Sequence, residues 1–217
     1  MKTRFYIVRH GESLGNMAKM FLGHTDLDLS ELGYIQAQKT ADKLRDVHFD
    51  FIYSSDLKRA YNTAVPNAEI RGMEIITSEE LREIHVGKWE GKTVDEILLD
   101  DEDLFINGWR KNFGSATPPE GESVIAGGKR FMAEIIRIAE HHPGCVILVT
   151  THAAVLRSFW GMACGMQTKQ ISEELHFAGN ASYSIVDYVD GKLYPIEYSI
   201  CEHLGGIATF VDESVKR

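Results

Sequence analysis

The sequence predicts an α/β fold in three layers (α/β/α), with a mostly parallel sheet between two layers of helices. Short apolar runs typical of buried strands alternate along the chain with longer stretches of helical pattern. This alternation is typical of a parallel sheet whose crossover helices cover both faces. Ligands of such sheets bind beyond the carboxyl ends of the strands, so we expect a functional site at that edge.

Three apolar runs are the clearest predicted strands, and each ends abruptly in polar residues. The first, residues 5–8, is followed at once by Arg9-His10. The second, residues 49–53, ends in a Ser-Ser-Asp turn, and the third, residues 145–149, leads to His152. Both histidines therefore belong to the edge of the sheet where a ligand is expected.

Four helices are predicted around these strands. Ser30 is the predicted N-cap of the first helix. The residues that this helix is expected to turn toward the core are Leu32, Ile35, Ala41 and Leu44. The second helix, residues 57–65, is expected to stop at Pro66 because proline breaks helical hydrogen bonding. The other two helices cover residues 123–141 and 153–160.

A hairpin is predicted near the end of the sequence. Residues 182–189 and 193–200 have strand character and flank Asp190-Gly191, a pair that favours tight hairpin turns. No linker or repeat divides the chain, so we predict one domain over residues 1–217. Within it, residues 84–122 are predicted to form a lid insertion over the cleft.

The composition is that of an ordinary globular protein, with 44% apolar and 25% charged residues among 217. Disorder is expected only in residues 212–217. The formal net charge of −9 argues against a nucleic-acid partner, and an anionic ligand would require arginines concentrated in a cleft. No apolar run is long enough to cross a membrane, and three cysteines without paired spacing indicate the reduced thiols of a cytoplasmic protein.

Arg9-His10-Gly11 offers two of the groups that metal-free phosphoryl transfer needs. That reaction requires a nucleophile, cationic donors for the phosphate oxygens and an acid for the leaving oxygen. Taken alone, the triplet is a weak signal that also fits a surface loop. Three companions strengthen it: Arg59 past the second strand, Glu83 in a glycine-containing segment, and His152 after the third strand.

In this order, the motifs resemble those of the histidine phosphatase superfamily, in its phosphoglycerate-mutase-like branch. The family's opening Arg-His-Gly-Glu signature is matched by residues 9–12. Further similar segments are residues 16–37, the second-strand motif at 54–60, the glutamate motif at 81–91, Pro-Glu-Gly-Glu-Ser at 119–123 and the second-histidine motif at 151–154. The resemblance covers residues 4–190 and implies a phosphoglycerate-mutase-like fold.

The resemblance also implies a role for each candidate residue. His10 would be the phosphorylated nucleophile, and Glu83 would protonate the leaving oxygen and then deprotonate the incoming water. The residues implied to hold the phosphate oxygens are Arg9, Arg59 and His152, with Asn16 as a further neutral donor. A protonated His152 would add a third positive charge to the two guanidinium groups. No cofactor is implied, and no metal site is predicted, because His141-His142 has no third ligand at suitable spacing.

Several of these assignments have alternatives. The alternative candidates for the acid near Glu83 are Glu79, Glu80, Glu90 and Glu96. Asn16 also fits an ordinary helix-start residue, and His85 points either into the cleft mouth or to solvent. The predicted lid residues that either read the leaving group or pack internally are Trp109, Arg110, Lys111 and Phe113. Where the family usually has glycines after the second histidine, this chain has Ala153-Ala154, which predicts tighter access beside His152.

The sequence therefore predicts a phosphomonoester hydrolase, a histidine acid-type phosphatase that acts on small phosphorylated metabolites through a phosphohistidine. One alternative is a cofactor-dependent phosphoglycerate mutase. In the family that this sequence resembles, such mutases carry extra chain between the glutamate and second-histidine motifs, where this sequence has only residues 84–151. They also carry a tryptophan soon after the first motif, which residues 13–16 lack. A second alternative is an inactive binding domain on the same fold. The physiological substrate and the oligomeric state are not predicted.

Overall fold

The computed structural model describes residues 1–209, which form a six-stranded sheet with helices on both faces. The segment 212–217, predicted to be disordered, lies outside the described residues. The strands are β1 (Lys2–Arg9), β2 (Phe51–Ser54), β3 (Ile75–Thr77), β4 (Val146–Thr151), β5 (Tyr183–Val189) and β6 (Lys192–Ile200). Their order across the sheet is β3-β2-β4-β1-β5-β6.

The sheet is mostly parallel, as predicted. Strands β3, β2, β4 and β1 pair in parallel, whereas β5 pairs antiparallel with both β1 and β6. The β5–β6 pair is the predicted hairpin, closed by Asp190 and Gly191 in positive-φ conformations of 49° and 81°. The predicted three-layer α/β/α fold class is confirmed.

Seven α-helices accompany the strands in residues 1–209. They are α1 (Leu14–Met17), α2 (Glu31–Lys43), α3 (Lys58–Arg71), α4 (Val94–Asp103), α5 (Val124–His141), α6 (Ala153–Ala163) and α7 (Thr168–Glu174). Single turns of 3₁₀-helix occupy Glu79–Leu81 and Gly87–Trp89, a longer one occupies Glu202–Ile207, and a π-helical segment, Leu104–Arg110, follows α4 directly. None of the helices in this part of the chain is long and apolar enough to span a membrane.

The predicted start of α2 is confirmed, but one of its predicted core residues is wrong. The Ser30 hydroxyl accepts a hydrogen bond from the Gly33 N–H at 3.1 Å, as an N-cap does. Ile35, however, is 53% exposed. The buried stripe of α2 instead carries small and polar residues, because Gln36 and Thr40 bond to neighbouring segments: the Gln36 Oε1 accepts from the Glu12 N–H and the Thr40 hydroxyl donates to the Ala181 carbonyl.

The prediction that the second helix stops at Pro66 is also wrong. α3 continues through Pro66 to Arg71 and ends at Gly72, whose φ of 64° suits glycine. The turn beyond the proline buries Asn67 and Ala68. Tertiary packing of that face therefore outweighs the helical hydrogen bond that Pro66 cannot donate.

Two apolar clusters lie on opposite faces of the sheet. Successive strand residues point to opposite faces, so Ile7 of β1 joins one cluster and Val8 the other. The larger cluster packs α5, α6 and the segment 84–122 onto the sheet. Within that segment the acidic run 100–103 is mostly exposed, although the half-buried Asp101 accepts a hydrogen bond from the Trp89 indole N–H at 2.8 Å.

Candidate active site

The ends of β1 and β4 bring two histidines together. The strands are parallel neighbours in a register that pairs Arg9 with Thr151, so the next residue of each strand lies at the same edge. The His10 N–H donates to the Thr151 carbonyl at 2.9 Å, and the rings of His10 and His152 are 5.2 Å apart between centroids. This is the edge at which the sequence predicted a site.

His10 is buried and uncharged at neutral pH. Its Nδ1 lies 2.7 Å from the Gly11 carbonyl oxygen, which can only accept, so Nδ1 carries the hydrogen and Nε2 keeps a lone pair. Burial lowers the pKa of His10 well below its ordinary value, and the charges of Arg59 and Arg9 lower it further. The imidazole therefore has the protonation state of a nucleophile.

Two arginines lie beside it, each about 1% exposed. One Nη of Arg9 donates to the Ala178 carbonyl at 2.6 Å, and the two Nη atoms of Arg59 donate to the carbonyls of Thr25 and Gly23, both at 2.8 Å. The Nε of each is buried without a hydrogen-bond partner in residues 1–209. Burial lowers the pKa of each to about 10, so both stay charged at neutral pH. Two buried cations for which the described chain supplies no ion-paired carboxylate make a strong site for an anion.

His152 adds a hydrogen-bonding group and no charge in the free protein. Its Nε2 lies 2.9 Å from the Ser55 hydroxyl, while its Nδ1 is buried with no partner among the described residues. Burial, followed by the charge of Arg59, lowers the pKa of His152 well below its ordinary value. The expected third positive charge is therefore absent from the free protein.

Glu83 reaches the same cleft from the segment after β3. Its carboxylate accepts hydrogen bonds from the N–H groups of Ala154 at 2.9 Å and Val155 at 2.8 Å, in the first turn of α6. The Ile84 N–H adds a third bond at 2.9 Å. A helix N-terminus favours a carboxylate, so α6 fixes the position of Glu83.

The other glutamates proposed as alternatives have different surroundings. Glu79 and Glu80 are exposed, and Glu96 caps α4 through Thr93. Glu90 holds the 23–25 loop: its two oxygens accept from the His24 N–H and the Thr25 hydroxyl, both at 2.9 Å. None of these four lines the cleft, whereas Glu83 does.

Asn16 has the helix-start role considered for it and also lies at the cleft. Its Oδ1 accepts from the Ser13 N–H at 3.1 Å, which completes a capping box at the start of α1. The same atom accepts from the Asn180 Nδ2 at 3.1 Å, and both asparagines line the cleft. Five of the six predicted site residues therefore line one cavity. The sixth, His152, packs against His10 and does not line the cavity.

A profile of the histidine phosphatase superfamily (branch 1) matches residues 5–199. The chain belongs to this superfamily. Phosphoserine phosphatase 1 of Hydrogenobacter thermophilus is 31% identical over 204 residues, covering 94% of this chain and 95% of that protein. A probable phosphoglycerate mutase, GpmB of Yersinia pestis, is 33% identical over 187 residues, covering 84% of each chain.

A similar solved structure is the mycobacterial glucosyl-3-phosphoglycerate phosphatase. It superposes with a TM-score of 0.83 at 25% identity, covering 93% of this chain and all of that one. The superfamily membership and these phosphatase-named neighbours support a phosphatase.

Three residues that contact the candidate site were not predicted from the sequence, because no motif marks them individually. Ser55 contacts His152, and the Asn180 Nδ2 donates to the His10 carbonyl at 3.2 Å. The Thr63 hydroxyl accepts from the Gly11 N–H at 3.0 Å. Asn180 lies in an unremarkable stretch before β5, so only the folded chain connects it with His10.

The cavity in this phosphatase-like fold has a volume of about 630 Å³. Of the four residues of the predicted lid that were considered for the leaving group, Trp109 lines the cavity, whereas Phe113 is fully buried in the core and Arg110 and Lys111 do not line the cavity. His85 lies outside the lining, half exposed, with its ring 5.0 Å from that of His24. Across residues 1–209, no three His, Cys, Asp or Glu side chains are grouped closely enough to hold a metal ion.

Proposed function

We propose that this protein is a phosphomonoester phosphatase that works through a phosphohistidine on His10. The observation that carries the proposal is an uncharged buried imidazole beside two buried guanidinium groups, Arg9 and Arg59, each with an Nε that has no hydrogen-bond partner in residues 1–209. Such a pair of cations stabilises the charge that develops on a transferring phosphoryl group. The substrate is a small phosphate ester, and the proposal requires neither cofactor nor metal.

In the first step, the His10 Nε2 lone pair attacks phosphorus and the bond to the ester oxygen breaks. Protonated Glu83 gives its proton to the leaving oxygen, so the alcohol departs neutral. Arg9, Arg59, the His152 Nδ1 and Asn16 bind the phosphate oxygens. The products of this half-reaction are phosphohistidine, the alcohol and the Glu83 carboxylate.

In the second step, the Glu83 carboxylate takes a proton from a water molecule as that water attacks phosphorus. The N–P bond breaks, and the electron pair returns to Nε2 of His10. Inorganic phosphate leaves and Glu83 is again protonated. We further propose that residues 84–122 act as a lid, since Val94 and Trp109 of this segment line the cavity.

Hydrolysis is favoured over transfer by the charges of the cavity. A mutase must grip the carboxylate of a glycerate phosphate, which requires cations beyond those on the phosphate. Among the described lining residues, the further cation is Lys19, which is exposed at the rim. The relative named as a probable phosphoglycerate mutase keeps this alternative worth testing.

Trapping the intermediate tests the proposal. Acid quenching is avoided, because a phosphoramidate is acid-labile and base-stable; the protein is denatured in alkali during turnover of a labelled ester. Labelling is expected in the wild type and is expected to vanish, with nearly all turnover, in His10→Ala. The control His48→Ala changes an exposed histidine and should label normally. Label on serine or aspartate would overturn the assignment.

A second assay separates hydrolysis from transfer. With 3-phosphoglycerate, inorganic phosphate and 2-phosphoglycerate are followed in one reaction. We expect phosphate as the product, if this ester reacts at all. Isomer formation at ten times the rate of phosphate release would favour the mutase instead.

A further inference from the structure

The residues that line the cleft are of two kinds. The polar ones include the charged and amide side chains of the candidate phosphate site around His10. The apolar ones, called the apolar wall below, are Phe21, Leu22, Val86, Val94, Trp109 and Phe177. With the phosphoryl group against His10, the leaving alcohol would extend into the rest of this cavity and meet the apolar wall.

The apolar wall is fixed by the core behind it. Trp109 packs edge-on against Phe21, with ring centroids 5.3 Å apart, and against Phe113 at 5.5 Å. Phe113 in turn lies 5.5 Å from Phe177, and the Arg157 guanidinium packs over both of these rings at 4.5 and 4.4 Å. Side chains packed in this way keep their positions, so the wall is preorganised for an apolar group.

The charges of the cavity disfavour a leaving group that carries a carboxylate. Arg9 and Arg59 are committed to the phosphate in the proposed reaction. The remaining charged lining residues in the described chain are Glu12, Glu83, Asp95 and Lys19. Because Glu83 is protonated when the ester binds, a carboxylate there would face the acidic Glu12 and Asp95 and one exposed lysine, with no further buried cation of the described lining to compensate its desolvation.

We infer that the preferred substrates are phosphate monoesters whose alcohol has an aromatic or branched aliphatic body and no carboxylate. This inference rests on the proposed phosphatase activity and assigns the leaving-group class of the same site. The phenyl or alkyl body would be buried against Phe21, Trp109 and Phe177, which removes apolar surface from water on both sides.

The test compares 2-phenylethyl phosphate with O-phosphoserine and 3-phosphoglycerate. All three are esters of aliphatic alcohols, so differences reflect recognition of the alcohol more than the ease of breaking the P–O bond. We expect kcat/KM for 2-phenylethyl phosphate to exceed that of either carboxylate ester by at least tenfold. Equal values, or a preference for a carboxylate ester, would overturn the inference.

Variants assign the effect to the apolar wall. Trp109→Ala should lower kcat/KM for 2-phenylethyl phosphate about tenfold and change that for phosphoserine by less than twofold. Trp109→Phe keeps an aromatic ring and should retain most of the preference. The matched control is Trp89→Phe, since Trp89 packs 5.8 Å from Trp109 in the same cluster but does not line the cavity. Equal losses of preference in Trp109→Ala and Trp89→Phe would contradict direct contact with the substrate.

Failure of the leaving-group inference can be distinguished from failure of the proposed phosphatase activity. Release of inorganic phosphate from 4-nitrophenyl phosphate, whose leaving group needs no proton, reports hydrolysis without relying on the ranking of the three alkyl esters. Hydrolysis of that ester without the expected ranking would reject only the leaving-group class. No release from any ester would reject the phosphatase.

Discussion

The Ser55 hydroxyl lies 2.9 Å from Nε2 of His152, so the tautomer of His152 depends on this contact. The hydroxyl oxygen accepts from the Leu57 N–H at 3.4 Å, and its one hydrogen can be donated to Nε2. A neutral imidazole that accepts at Nε2 carries its hydrogen on Nδ1. That N–H is buried without a protein partner in the described chain, which makes it a ready donor for a phosphate oxygen.

Ser55→Ala should therefore weaken phosphate binding. Without the hydroxyl, His152 can adopt the other tautomer and present a lone pair to the anion. The loss of one buried hydrogen bond, about 1–1.5 kcal/mol, corresponds to a roughly tenfold rise in the inhibition constant of inorganic phosphate. The control Ser54→Ala removes the neighbouring hydroxyl, which bonds to Thr150 instead of a histidine. Equal effects in both variants would show that the change acts through folding.

Replacing Glu83 should slow the hydrolysis of an ester according to how much its leaving group needs a proton. In Glu83→Gln the amide cannot donate a proton to the leaving oxygen, and its NH₂ also cannot accept from the α6 N–H groups. Alkyl esters should slow by about 10²–10⁴-fold and 4-nitrophenyl phosphate far less, since only the alkyl oxygen needs protonation. Parallel assays of Glu90→Gln, which alters a loop-holding carboxylate, provide the comparison. Equal losses on both esters would move the acid role to another carboxylate.

At the scale of elements, α3 lacks one of its backbone hydrogen bonds. Pro66 lies inside the helix, where it cannot donate a backbone hydrogen bond, yet Asn67 and Ala68 beyond it are buried. Pro66→Ala should restore that bond and raise the free energy of unfolding by about 1–2 kcal/mol, after allowance for the greater freedom of the unfolded chain. Urea denaturation measures the change, with Val65→Ala as a neighbouring control. A decrease in stability would mean that the proline is needed to shape the helix.

The first turn of α6 contains Ala153 and Ala154, where the family usually has glycines. Ala153 and Ala154 are buried and line the cavity, and the Ala154 N–H bonds to Glu83. Helical geometry is thus compatible with alanine at both positions. The predicted tightening of access beside His152 stays a prediction, which kinetics of Ala153→Gly with esters of increasing size would check.

The sequence was informative wherever a short pattern determines local structure. Apolar runs located β1 and β4, and Ser30 located the start of α2. The three-residue strand β3 was not predicted because its period is too short to recognise. The end of α3 and the exposure of Ile35 were wrong because tertiary packing overrode local preference.

The same distinction between local patterns and tertiary contacts applies to the candidate site. The resemblance to a known family named His10, Arg59, Glu83 and their companions, which the structure brings to one cleft. The contact of Ser55 with His152 and that of Asn180 with His10 depend on chain segments far apart in sequence. The charge state of His152 depends on burial, which no local pattern reports.

At the scale of the whole molecule, the buried histidines link stability to pH. The pKa values of His10 and His152 are depressed in the folded state, so below about pH 6.5 the unfolded chain binds protons that the folded chain does not. Stability therefore falls as pH drops below that value, by up to about 1.4 kcal/mol per pH unit for each such histidine, until the folded-state pKa is reached.

His10→Asn should flatten this dependence by about one proton. Free energies of unfolding at pH 7, 6 and 5, from urea denaturation, give the slope for each protein. His24, His142 and His203 also have depressed pKa values, so the difference between variants is informative and the total slope is not. His48→Asn, at an exposed site, should keep the wild-type slope. An unchanged slope in His10→Asn would show that the pKa of His10 is the same in the folded and unfolded states.

The position of β1 in the middle of the sheet has a consequence for biosynthesis. His10 leaves the ribosome well before the neighbours of its strand, β4 and β5, have been translated. Asn180 and Ala178, which bond to His10 and Arg9, precede β5 directly. A nascent chain arrested after α6 would already contain both histidines and both arginines, yet one edge of β1 would be unpaired and the anion site unfinished. The ability to bind phosphate should thus appear during translation only when the β5–β6 hairpin has emerged.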